Sequence, residues 1–489
     1  MEEEPNDAQS PTPKKRTLEN AEPPDRISDL PDVLLHHIFS FLDTRYAVQS
    51  SVLSSRFDYL WGSMLHLRFF SNTNTNTTLE KLIHKVLILR EKYHIKSLHI
   101  HSDNDDDVPH VYSWILAAIR RNVREIDICM ATRAAIDLPH FLFTCDSLTV
   151  LKLGLGTMGE DFPPLLLPDW VELPNVKFLQ FTRVSIDECF AVQLIGSCPS
   201  LETLIIVDSE LTFEEEFEIV SRKLVHLGVQ CRFPMYQRDV SEFKVRLATP
   251  NLKVFRWEDY MVREFVWLEP ANVDRVEFGL VMDEDGRMAL DSAEEYKKMQ
   301  ARHMFKLLEA VSNVNSLTLY GCYHLVTFDP SSASDYLSLQ FHNLKYLKLE
   351  TWLSADCLLA TFYMLKICPN IKTLSLHILE DDCLEPSHRC WDEKLSPSLH
   401  LGKCWEAGSS KLCISHHLKV VEIHGVHGCM IELMLIEILL KGAKVLEKVV
   451  ISTYEEKPSD REKGLAEFRK KLRALPRASS TVTFVFTEE

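Results

Sequence analysis

The sequence is short of positive charge, of glycine and of long apolar runs, and each shortage removes a class of function. Lys and Arg number 54 against 71 Asp and Glu, a formal charge of −17, the wrong sign for a chain that must neutralise phosphates along a nucleic acid. Glycine occurs only 15 times, and there is no glycine-rich phosphate loop, GxSxG elbow or HExxH helix. No catalytic nucleophile stands out, so enzyme chemistry is not expected. No stretch reaches the roughly 18 consecutive apolar residues that cross a bilayer. The opening MEEEPNDAQS lacks a basic n-region and an apolar h-region, so neither secretion nor membrane insertion is expected. The 13 cysteines are scattered singly, which suits reduced thiols in nucleus or cytoplasm. The densest Cys/His stretch runs from Cys383 through His388, Cys390, His400, Cys404, Cys413, His416 and His417. It contains no paired CxxC knuckle, so neither a metal nor a cofactor is expected.

With 489 residues, the chain exceeds the size at which one core stops growing, so it is either several domains or a repeat array. A repeat is present. A six-residue frame, apolar at its first, fourth and sixth positions, starts at Ile95 (IKSLHI), Val123 (VREIDI), Leu148 (LTVLKL), Val176, Leu201, Leu224, Leu252 and Val273. It returns at Val314, Leu344, Ile371, Leu418 and Leu446. From Ile95 to Val273 the starts lie 21 to 28 residues apart, within the leucine-rich repeat range of about 20 to 29. The fourth and sixth positions flank a mostly polar fifth, so a short strand turns both to one face. One unit buries too little alone, so the units should stack with their strands parallel and their helices outside, as HVYSWILAAIRR and CFAVQLIGSC suggest. The intervals Val273 to Val314 and Ile371 to Leu418, 41 and 47 residues, each carry an insertion or a degenerate repeat.

Residues 1–24, rich in Glu, Pro, Asn and Ser with a short basic PKKR run, read as a flexible tail. Beyond them Leu34, Leu35, Ile38, Phe39 and Leu42 fall at helical spacing after Pro31, placed as a first-turn proline. A second helix is expected from Asp43 or Thr44 with Ala47, Val48 and Val52, and a third over Ser54 to Trp61 with Phe57 and Leu60 inward. So short a helical unit has more apolar residues than it can bury alone, which calls for a partner. The frame MLHLRF, with Met64, Leu67 and Phe69 in repeat phase, suggests that these helices run straight into an opening strand.

The ordered elements in DRISDLPDVLLHHIFSFL and AVQSSVLSSRFDYLW resemble the F-box of the large plant family that joins an F-box to leucine-rich repeats. From Leu418 the chain reads as strand, helix and strand, then a basic amphipathic helix and a final strand TVTFVF. Through KGAKVLEKVVI and LPRAS this region resembles the FBD domain of such proteins. The fold implied is an α/β solenoid: a three-helix F-box, irregular leucine-rich repeats and a C-terminal strand-helix-strand cap. The segments are 1–24 tail, 25–62 F-box, 63–410 repeats and 411–489 FBD-like module.

The resemblance implies a non-catalytic, substrate-recognising subunit of an SCF-type ubiquitin ligase, bound to a Skp-type adaptor and through it to a cullin, with a protein target on the repeats. Carried over by position, Leu30, Pro31, Leu34, Leu35, Ile38, Leu42, Val52, Leu53 and Trp61 would meet or support the adaptor. Ser55, Arg56 and Phe57 stand where the family usually has Lys-Arg-Trp, which predicts weaker docking. The alternative is a scaffold or ligand-sensing repeat protein, for which Arg183, His226, Arg256 and Trp257 would have to converge.

Overall fold

A computed structural model describes residues 27, 29–71, 78–90, 93–132, 136–157, 162–187, 190–212, 216–231, 244–259, 263–280, 294–320, 339–351, 353, 355–379, 416–453 and 459–488. It begins with three short helices, α1 (Asp32–Phe39), α2 (Thr44–Gln49) and α3 (Ser55–Gly62), with a 3-10 turn at Ser50–Val52 between the last two. Local chemistry sets their starts. Pro31 is the N-cap of α1 rather than its first residue, and its carbonyl accepts from Leu34 N at 2.9 Å. Asp43 caps α2 by accepting from Arg45 N at 2.7 Å, and Ser54 caps α3 by accepting from Arg56 N at 3.3 Å. Each cap satisfies a donor that the first turn leaves free.

The repeated frames become one parallel sheet. The chain's first strands are β1 (His66–Phe70), β2 (Ser97–Ser102), β3 (Glu125–Met130), β4 (Val150–Leu155), β5 (Phe178–Thr182) and the short β6 (Ser185–Ile186). Next come β7 (Thr203–Leu211), β8 (Glu216–Val220), β9 (His226–Cys231), β10 (Lys244–Ala248), β11 (Val254–Asp259), β12 (Glu264–Trp267) and β13 (Arg275–Leu280). The last are β14 (Ser316–Tyr320), β15 (Tyr346–Thr351), β16 (Thr373–Ile378), β17 (Val420–His424), β18 (Lys448–Thr453) and β19 (Thr483–Glu488). The main sheet runs β1-β2-β3-β4-β5-β7-β9-β11-β13-β14-β15-β16-β17-β18-β19, with β6 beside β7.

All thirteen frames are in register. Their fourth residues, from Leu98, Ile126 and Leu151 through Phe255 and Val276 to Val421 and Val449, stand opposite one another strand by strand. Leu67 of β1 and Phe484 of β19 extend the same ladder by one strand at each end. Every first-position residue, from Ile95 to Leu446, is buried. In the two long intervals, β13 pairs directly with β14 and β16 with β17, so both are insertions rather than hidden sheet strands among the described residues. Helix α6 (Glu294–Ala310) lies in the first.

The outer layer is helical in places only. Helices α4 (Leu79–Leu89) and α5 (Val111–Ile119) bury Ile83, Val86, Trp114 and Ile115 against the sheet, and Phe190–Ile195 forms a π-helix. Behind β7 to β13 the expected helices are replaced by a second parallel sheet of β8, β10 and β12. These strands alternate in polarity and turn Phe217, Ile219, Val245, Leu247 and Phe265 inward. A strand advances about 3.3 Å per residue against 1.5 Å for a helix, so a short aromatic return segment can cover the same depth. Phe265 meets Trp257 at 5.2 Å and Phe255 at 5.5 Å, edge to face, and seals the two layers.

The C-terminal region lengthens the sheet rather than only covering it. Helix Met430–Gly442 joins β17 to β18, and helix Ser459–Ala474 joins β18 to β19. The side chains of β19 that continue the core, Phe484 and Phe486, are half-buried, with Arg477 over one ring at 5.9 Å and Arg469 over the other at 5.0 Å.

Candidate functional site

The three opening helices bury a set of apolar residues that runs on into the core of the sheet. Leu35, Phe39, Phe57, Leu60 and Trp61 are buried, with Phe39 and Phe57 edge to face at 5.7 Å. Arg56 ties the ends of the unit together: it donates to the Leu30 carbonyl at 2.7 Å and pairs with Asp32. The Ser63 hydroxyl lies 3.3 Å from His36 Nε2, linking the far end of α3 to α1.

Many apolar residues remain outside that buried set. Of the nine sequence candidates, Pro31, Leu34, Ile38, Leu42, Val52 and Leu53 are exposed, Leu30 is partly buried, and Leu35 and Trp61 are buried. Leu35 and Trp61 therefore support a surface without forming it. Val52, expected on the second helix, falls instead in a 3-10 turn and is 89% exposed; its neighbour Leu53 is 79% exposed. Sequence reasoning missed Val33, Phe41 and Tyr46, all exposed. The signal was the apolar run itself: a helix apolar on more than one stripe has a face left over after its own core is made. The aromatic face of Phe41 is held by His37, edge to face at 4.9 Å.

The helical unit is fastened to the sheet by its second helix. Arg68 N of β1 donates to Thr44 Oγ1 at 2.9 Å, and Phe70 N donates to the Asp43 carboxyl. Burial pushes the Asp43 carboxyl above its usual range, while the backbone donors of Arg45 and Phe70 pull it back. Arg90, at the end of α4, is wholly buried and donates to the Met64 carbonyl between α3 and β1. Burial, followed by the nearby Arg121, holds its guanidinium down to about 10.

The other candidate face is formed by the strand residues that alternate with the core. His99 and Asp127 lie 3.3 Å apart, with Lys152 at 3.9 Å from the same carboxylate. Across β9, β11, β13 and β14, Gln230 donates to Glu258 at 2.8 Å, Arg256 binds Glu258 at 2.5 Å, and Glu277 lies 3.9 Å from Arg256. Burial and the adjacent Glu277 push the Tyr320 phenol up to about 12. Gly228 leaves a notch in this face, since an added Cβ would meet only Ile205 Cγ1 at 4.0 Å.

The four residues required for a ligand pocket do not gather. Trp257 is fully buried in the core, and Arg256 is occupied by Glu258. Arg183, at φ 57, reaches Cys129 Sγ at 3.5 Å, while His226 stands on β9 beside Thr203 and Val254. The Cys/His stretch from Cys383 to Cys413 lies outside the described residues; among those described, no three metal-ligating side chains cluster. No described helix is long and apolar enough to cross a membrane. Asp107, the last of three consecutive aspartates, is buried and accepts from Ser102 Oγ at 2.6 Å.

Three family models match the chain. The F-box domain model covers residues 27–68, the model described as "FBD-associated F-box protein At5g56370, LRR repeats" covers 111–267, and the FBD model covers 412–451. Among similar proteins of Arabidopsis thaliana, the F-box/FBD/LRR-repeat protein At1g51370 is 26% identical over 94% of this chain and 94% of its own length. The F-box/LRR-repeat protein At3g62440 is 26% identical over 94% of this chain and 99% of its own. The FBD-associated F-box protein At5g38590 is 34% identical over 42% of this chain and 50% of its own.

Proposed function

From a chain built as a plant-type F-box, leucine-rich-repeat and FBD protein, we propose that it is the substrate-recognition adaptor of an SCF-type ubiquitin ligase. In this reading the F-box docks on a Skp-type adaptor, which links it to a cullin, and the repeats form a solenoid whose strand face holds the target protein. F-box/LRR proteins are typically non-catalytic, and ubiquitin transfer would fall to other subunits of the complex.

The observation that carries the reading is the apolar surplus of the F-box. Val33, Leu34, Ile38, Phe41, Leu42, Val52 and Leu53 are exposed although the unit already buries Leu35, Phe39, Phe57, Leu60 and Trp61. So many exposed apolar residues on so small a unit are what an interaction site leaves uncovered before its partner binds. Leu30 and Pro31 border it, and Leu35 and Trp61 hold its helices in place. The occupied Arg256 and the inward Trp257 favour protein recognition over a small ligand in the repeats.

The test is titration of the full chain with a Skp-type adaptor by calorimetry. Ile38→Asp and Leu53→Asp are each expected to weaken binding by roughly thirtyfold or more, as loss of an interface anchor does. Undiminished binding by both variants, with their folding intact, overturns the docking surface. The same variants suit target capture better than deletion of the F-box, because deletion would strip Thr44 and Asp43 from β1.

A further inference from the structure

The two ends of the main sheet are finished differently. At the first, the outward N–H groups of Arg68 and Phe70 are met by Thr44 and Asp43. At the other, β19 pairs with β18 alone, and no described residue bonds to its outer side. Thr483 N donates to Glu447 O at 3.0 Å, on the β18 side. Alternation along an extended strand then turns the N–H and C=O groups of Phe484 and Phe486 outward. Natural edge strands are usually blunted by Lys, Pro or a bulge, and Thr481 to Thr487, TVTFVFT, contains none of these.

The strand is also a palindrome. Outward from Val485 it reads Phe then Thr in both directions: Thr483, Phe484, Val485, Phe486, Thr487. We propose that β19 pairs antiparallel with β19 of a second copy of this chain, about a two-fold axis through Val485.

This register satisfies backbone and side chains together. Phe484 opposes Phe486 of the second copy, and these are the residues whose backbone groups face outward, so each such pair exchanges both hydrogen bonds. Thr483 opposes Thr487, giving matched hydroxyl pairs, and Val485 meets its own copy. With the axis normal to the sheet, all four phenylalanines fall on the core face. The half-buried rings beneath Arg469 and Arg477 would then gain aromatic neighbours in place of water. A shift by one residue would oppose Phe to Val or Thr, so the sequence itself selects the register. A strand from an unrelated protein has no reason to repeat this order, which is why a second copy is the occupant. The seam is one strand wide, so the dissociation constant is expected on the order of micromolar.

Sedimentation velocity on the full chain from about 1 to 100 micromolar should show a monomer–dimer equilibrium. Val485→Lys places like charges face to face and should raise the dissociation constant about tenfold or more. Val485→Cys should cross-link to its own copy under mild oxidation, because non-hydrogen-bonded partners lie about 4.5 Å apart, within disulfide reach. Thr483→Cys should not, since Thr483 faces Thr487. A chain that stays monomeric, a Val485→Lys dimer as tight as the original, or cross-linking by Thr483→Cys as ready as by Val485→Cys would each overturn the proposal. None of these readouts involves the ligase adaptor, so the inference stands or falls apart from the docking surface.

Discussion

Phe57 occupies a position where similar F-boxes usually carry an indole, and its place in the structure changes what that difference means. The side chain is 6% exposed and packs edge to face on Phe39. Its effect therefore falls on the packing of the F-box, not on a surface that an adaptor would touch. Any weakening of docking by this residue would have to act through that packing. Arg56 beside it is spent internally on Asp32 and the Leu30 carbonyl, where it ties the start of α3 to the start of α1. Phe57→Trp should cost about 1–3 kcal/mol in urea unfolding through overpacking, with adaptor affinity unchanged once the protein is folded. A gain in affinity without loss of stability would place the ring at the surface instead.

At the scale of elements, the helix Met430–Gly442 shows how a buried charge can be structural. Glu432 is fully buried, and its carboxylate accepts from the backbone N–H groups of His427 at 2.9 Å, Gly428 at 2.7 Å and Cys429 at 2.8 Å. Gly428 adopts φ 89, a conformation that L side chains rarely take, and so lets the three donors converge. Glu432→Ala would leave those donors without their acceptor and should cost on the order of 3 kcal/mol, read as a lower denaturation midpoint. Elements also separate what the sequence makes legible from what it hides. The thirteen frames were readable because positions one, four and six must all be buried in every unit, so the pattern repeats whatever lies between. The strands β8, β10 and β12 were missed although Phe217 and Ile219, Val245 and Leu247, and Phe265 and Trp267 alternate plainly, because a return segment of four or five residues has too few periods to separate strand from turn. The F-box surface was half legible. Helical spacing placed Leu34 and Ile38, but nothing local shows that Val52 leaves the helix or that Phe41 and Tyr46 face outward, since tertiary packing decides which apolar stripe is the core.

Across the whole molecule, the ladder that runs from Leu67 to Phe484 joins elements far apart in sequence, and one end of it is closed by the F-box. Thr44 and Asp43 hold both the first turn of α2 and the outer edge of β1. Unfolding the F-box thus strips the edge of β1, and a ligand that binds only the folded F-box stabilises both by mass action, by about 2.7 kcal/mol when present at a hundred times its dissociation constant. Hydrogen exchange at Arg68 and Phe70 should slow accordingly when a Skp-type adaptor is added, although neither residue belongs to the proposed docking surface. Unchanged exchange there, with the adaptor bound, would show the two parts to be independent. In an array whose units are stable only beside their neighbours, that shared cap means that, under the proposed function, an adaptor bound to the F-box would also hold closed the first strand of the repeat sheet.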